Sequence, residues 1–117
     1  MAYALLIIET PEQRQMQGEA RCREQYERMA RFSDDLKGRG LLTLSQSLTS
    51  DRSGARVRVQ DGRASVMDGP FAEAKEVIGG FFLLTCDSRE QAIAIAQECP
   101  GVGWATVEVR ELGPCFR

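Results

Sequence analysis

The sequence predicts an α+β fold of the ferredoxin-like kind: a four-stranded sheet with two helices on one face and a β-hairpin insert. Three observations lead there. The elements run strand, helix, strand, hairpin, strand, helix, strand, which reduces to βαββαβ once the hairpin is set aside. Residues 3–8 and 81–84 are apolar on both alternating faces, as strands at the centre of a sheet are. The second and fourth main strands alternate instead, as edge strands do.

Each element has its own local cause. Tyr3-Ala4-Leu5-Leu6-Ile7-Ile8 is the first central strand. Thr10, Pro11 and Gln13 then form a helix start, with Thr10 as cap, proline in the first turn and Gln13 closing a capping box. A helix is expected from there to about Lys37, with Gly18 a weak point and Cys22, Tyr26, Met29, Phe32 and Leu36 on its buried side. Gly38-Arg39-Gly40 ends it. Leu42, Leu44 and Leu48 alternate with Thr43, Ser45 and Ser47, which predicts a strand with one wet face. Asp61-Gly62 between alternating segments is a strong hairpin signal, because both residues tolerate positive φ. Ser88 to Gln91 is a second capping box, opening a helix that Pro100-Gly101 must stop. Residues 104–112 place Ala105, Val107 and Val109 on one face of the last strand.

A chain of 117 residues is expected to be one domain, residues 1–117. The apolar run at residues 2–8 is too short for a membrane span or a signal-peptide core, so the expectation is a cytoplasmic protein that starts at its first residue. A net charge of -2 excludes broad attraction to nucleic acid or anionic membrane. The arginines between Arg14 and Arg31 are interleaved with Glu19, Glu24 and Glu27, the pattern of a solvated helix face. The four cysteines match no zinc spacing, and there is no histidine, so neither a metal nor a cofactor is expected.

Both helices on one face leave large apolar side chains of the central strands uncovered on the other. Leaving about five of them wet forgoes roughly 1.5–3 kcal/mol each, a sum comparable to the roughly 5–15 kcal/mol stability of a whole domain. A second copy packing sheet to sheet is the expected cover. Chemistry is expected around Asp68-Gly69-Pro70-Phe71, where Asp68 would accept the Phe71 N–H in an Asx-type turn and Phe71 would plug a pocket. Residues 72–77 would form one or two helical turns, and Gly79-Gly80 a tight turn into the central strand. The charges of Glu73, Lys75 and Glu76 are left over from that structural account. With Asp68, Phe71 and Arg58 they are the candidate ligand-binding set on the rim of a cleft between subunits, Asp68 and Lys75 being the candidate acid–base pair.

The run Asp68 to Glu76, Gly79-Gly80-Phe81-Phe82, the hairpin Val57 to Arg63, Cys99-Pro100 and Val107 to Arg110 together resemble the D-G-P-F branch of the YCII-related family over nearly the whole chain. The resemblance implies a dimeric α+β barrel. It also implies an accessory role beside extracytoplasmic-function sigma factors, with the cleft sensing or modifying a small molecule. Other relatives are enzymes using a histidine on the first helix and an aspartate just before the proline that ends the second, some acting on chlorinated hydroxylated aromatic rings. That pair does not carry over, because the chain has no histidine and Cys99 precedes Pro100. Three readings follow: a small-molecule binding or accessory protein, a metal-independent enzyme using Asp68 and Lys75, and a structural or protein-interaction module.

Overall fold

The elements of the chain are β1 (Ala2–Glu9), α1 (Gln13–Gln17), α2 (Glu19–Gly38), β2 (Leu42–Ser47), β3 (Ala55–Gln60), β4 (Arg63–Asp68), β5 (Val77–Thr85), α3 (Arg89–Glu98) and β6 (Thr106–Glu111), with 3₁₀ turns at Asp51–Ser53 and Pro100–Gly103. The computed structural model describes residues 2–71 and 73–117. The main sheet has the order β2-β5-β1-β6 and is antiparallel throughout, the ferredoxin-like arrangement expected from βαββαβ. The hairpin β3-β4 forms a separate two-stranded ribbon. No helix among the described residues is long and apolar enough to cross a membrane.

The core lies between the helices and one face of the sheet. Tyr3, Leu5 and Ile7 of β1 and Phe82 and Leu84 of β5 pack on Phe32 and Leu36 of α2 and on Ala92, Ile95 and Ala96 of α3. Phe32 meets Phe82 edge to face, with ring centroids 5.4 Å apart. Both helices therefore cover the same side. Positions directly opposed in the ladder share a face, so the pairs Ala4↔Leu83, Leu6↔Phe81 and Ile8↔Ile78 line the other side. Glu108 and Arg110 of β6 border this patch, opposite Leu6 and Ala4.

Several local expectations are corrected. The first helix is two: Gly18, at φ +83°, breaks it between α1 and α2. The first capping box is half made, since the Gln13 side chain accepts the Thr10 N–H at 2.9 Å while Glu12 is the residue at the cap. The second is made as expected, with Ser88 Oγ accepting the Gln91 N–H at 3.1 Å. A bulge between Leu42 and Leu44 changes the facing of β2. Leu42 opposes Leu84 of the core face, but Leu44 opposes Leu83 on the uncovered face, and Ser45 opposes Phe82. The serines read as wet thus point toward the helices. The glycine pair Gly79-Gly80 lies inside β5 and makes a second bulge, not a turn before the strand. Ala72 lies outside the described residues; residues 73–76 contain no helix, and Ala74 N–H donates to the Phe71 carbonyl in a single turn. Asp61 (φ 51°) and Gly62 (φ 77°) make the expected hairpin turn.

Candidate functional site

The core thins toward the end of the sheet where β1 finishes, β5 starts and β2 finishes. Opposite α2 at that end stand Ser45, Ser47 and Gly80, whose small side chains do not fill the space below the helix. The result is a cavity of about 430 Å³ between α2 and the sheet, within the size range of small-molecule sites. Ile7, Phe82 and Met29 form part of its apolar wall; Tyr26, Cys22 and Asp34 of α2 and Trp104 also line it.

Glu9 enters this cavity because of strand alternation. Tyr3, Leu5 and Ile7 face the helices, and the next residue of that series is Glu9. Its side chain is only 11% exposed, and Arg14 Nε meets Oε1 at 2.7 Å. Arg14 also donates through Nη1 to the Leu48 carbonyl at 2.6 Å and through Nη2 to the Gly79 carbonyl at 3.0 Å. One guanidinium thereby ties α1 to β1, to the segment after β2 and to the bulge of β5. A Cβ at Gly79 would overlap Glu9 Oε1 and lie 3.0 Å from Arg14 Nη2, so an alanine there would push the ends of this ion pair aside. The Glu9 carboxylate has no ion-pair or hydrogen-bond partner besides Arg14 among the described residues, and Glu9 lines the cavity.

Burial pushes the Glu9 carboxyl above its ordinary value of 4.5, opposed by attraction and hydrogen bonding from Arg14. The folded chain therefore keeps this proton at pH values where the unfolded chain has released it. Glu9's contribution to stability rises as pH falls from neutral through the raised value, and the gain is complete below the ordinary one. In Glu9→Gln this dependence is gone. The unfolding free energy of the variant minus that of the wild type, from urea melts, is expected to be more positive at about pH 7 than at about pH 4.5. A difference independent of pH would show that Glu9 is not held as described.

The remaining walls are fixed by polar contacts. Ser33 Oγ and Ser45 Oγ are 2.6 Å apart, joining α2 to β2. The Gln13 side-chain amide donates to the Trp104 carbonyl, and the Arg28 guanidinium lies 5.1 Å from the centroid of the Trp104 ring.

The residues singled out in the sequence lie elsewhere. Asp68 ends β4 and is exposed; its Asx-type role is taken by Asp51, whose Oδ2 accepts the Phe71 N–H at 3.0 Å. Phe71 is buried as expected, with the Arg56 guanidinium 4.1 Å from its ring centroid. Gly69 N–H donates to the Gly54 carbonyl at 2.8 Å, and the Gly69-Pro70 bond is cis. Arg58, Glu73, Lys75 and Glu76 are exposed, and with Asp68 they make no ion pair among the described residues. None of the six lines the cavity, although Glu76 lines a shallower depression beside Trp104. Cys99 is 1% exposed, 3.8 Å from the Met29 sulfur, and burial pushes its thiol up, so it is an inert core group.

The model of the YCII-related domain matches residues 1–115. The chain belongs to the YCII-related domain family. This YCII-related chain is also 39% identical over 67 residues to the uncharacterized protein R00369 of Rhizobium meliloti (strain 1021), a stretch covering 56% of this chain. The similarity spans about half, 54%, of that relative's length. The D-G-P-F segment that marked the family in the sequence is thus a hairpin anchor in the structure, while the cavity is built from Glu9, Arg14 and α2. Cys22 was legible as an inward-facing helix position, whereas Tyr26, expected on the buried side, lines the cavity while 61% exposed. Arg14 was not, since it sits among the interleaved charges of the helical region.

Proposed function

We propose that this YCII-related protein binds a small molecule in the cavity between α2 and the sheet. The observation that supports this most directly is the Glu9–Arg14 pair, a carboxylate carried inward and oriented by a guanidinium tied to two backbone carbonyls. Such fixation of a polar group beside an apolar wall is what a binding site needs and a filled core does not. The protein acts as a homodimer joined through the uncovered sheet face, where apolar residues are bordered by the charged pair Glu108 and Arg110. An accessory role beside sigma factors, implied by the family resemblance, is compatible with such a site if the ligand is the input.

The test is a ligand-observed NMR screen of small aromatic and aliphatic compounds, repeated on Ala30→Trp. Ala30 lines the cavity and is exposed on α2, so tryptophan there obstructs the space without entering the core. Hits are expected on the wild type and to weaken at least about tenfold in the variant, with unchanged far-UV circular dichroism. Hits that ignore the substitution, or no hits at all, overturn the reading.

A further inference from the structure

We infer that the cavity takes a small organic amine, an ammonium group on an apolar, ring-sized body. This rests on the cavity being the binding site and specifies its ligand class. Of the ionisable groups lining the cavity among the described residues, Arg14 is the one permanent cation, and it is already engaged: Glu9 neutralises it at 2.7 Å, and each terminal nitrogen donates to a backbone carbonyl. An incoming anion would meet a guanidinium already neutralised by Glu9, with three of its five N–H donors in use. What remains available is of the opposite kind. Glu9 lines the cavity with a carboxylate whose one ion-pair partner among the described residues is Arg14, and Asp34, exposed on α2 at the cavity mouth, adds a second carboxylate with none. Counting Glu9 and Arg14 as a neutral pair, the lining carries an unbalanced negative charge at Asp34.

The shape of the wall agrees. Tyr26, Ala30 and Asp34 follow one another at four-residue spacing along α2, so they stand on one helix face above the cavity. Aromatic rings set beside carboxylates recognise ammonium groups through the negative face of the ring. Trp104 already has the Arg28 guanidinium at 5.1 Å from its ring centroid, whereas Tyr26, on the same helix face as Asp34, is an uncommitted ring at the wall among the described residues. The apolar floor of Ile7 and Phe82 accommodates the body of the ligand.

Three shape-matched probes test this: phenethylamine, 2-phenylethanol and phenylacetate, titrated into ¹⁵N-labelled wild type and Asp34→Asn. The amine is expected to shift the amides of Glu9, Tyr26 and Asp34 with an affinity at least about tenfold above either other probe. Asp34→Asn is expected to reduce that preference. Phenylacetate or 2-phenylethanol binding there as tightly as the amine overturns the amine class and leaves the cavity as the site. If none of the three binds while the compound screen yields hits sensitive to Ala30→Trp, the amine class alone fails. If neither probes nor screen give cavity binding, both readings fail together.

Discussion

Leu6→Asp is expected to convert a dimer into a folded monomer. Leu6 opposes Phe81 in the centre of the uncovered sheet face, with Ala4 and Leu83 on one side and Ile8 and Ile78 on the other. The bulge in β2 adds Leu44 to the same face. Leu6, Ile8, Phe81 and Leu83 are half-buried and Ile78 and Leu44 exposed, so covering each contributes part of the roughly 1.5–3 kcal/mol of full burial, and a second copy is the expected occupant. An unpaired carboxylate placed at the middle of that contact must be desolvated without a partner, a cost of several kcal/mol. The substitution leaves the helix-side core of Leu5, Ile7, Phe82 and Leu84 untouched, so the fold is expected to persist. Light scattering on wild type and variant at micromolar concentration decides the matter, with circular dichroism as the control. A wild-type monomer, or a variant that stays dimeric, overturns the assembly.

Gly69→Ala is expected to be among the most damaging single-methyl changes in the chain. A Cβ at Gly69 would overlap the backbone carbonyl of Asp51, and a main-chain atom in a 3₁₀ turn has no flexible end to move aside. The peptide of Gly69 also donates to the Gly54 carbonyl, so relieving the overlap breaks that bond and withdraws Phe71 from its place against Gly54 and Arg56. Overpacking of this kind costs about 1–3 kcal/mol, read as a lower urea midpoint. Two carboxylate changes separate the roles within the segment. Asp51→Ala is expected to cost about 1–3 kcal/mol, because the Phe71 N–H loses its acceptor. Asp68→Asn, at an exposed position, is expected to stay within about 0.5 kcal/mol of wild type. A larger loss in Asp68→Asn than in Asp51→Ala would reverse the assignment.

These contrasts show which parts of the molecule were legible in the residues. The two-faced apolar pattern of residues 3–8 and 81–84 placed β1 and β5 at the centre, because central strands lie under the middle of whatever layer packs on each face of the sheet. Asp61-Gly62 located the hairpin through local backbone chemistry alone. Facing was harder. An inserted residue exchanges inside for outside over the rest of a strand, so Ser45 and Ser47 carried the pattern of a wet face while standing toward the helices. The hydrogen bond from Phe71 to Asp51 spans twenty residues of sequence, and the nearer Asp68 offered the same chemistry at turn spacing. The cavity had the weakest signature. It arises where bulk is missing, at Ser45, Ser47 and Gly80, and its central arginine sits among charges typical of solvent-facing helix.

The β3-β4 ribbon has valines 57, 59 and 66 at 65%, 70% and 66% exposure, and it pairs with no strand of the main sheet. Among its attachments are one aromatic ring and the peptide link between two glycines. The ribbon is therefore held at its base, by Phe71 and Gly69, while its far end stands away from the main sheet. Evolution or engineering can lengthen it, recharge it or swap its tip, changing which surfaces the molecule touches while the chamber under α2 keeps its dimensions.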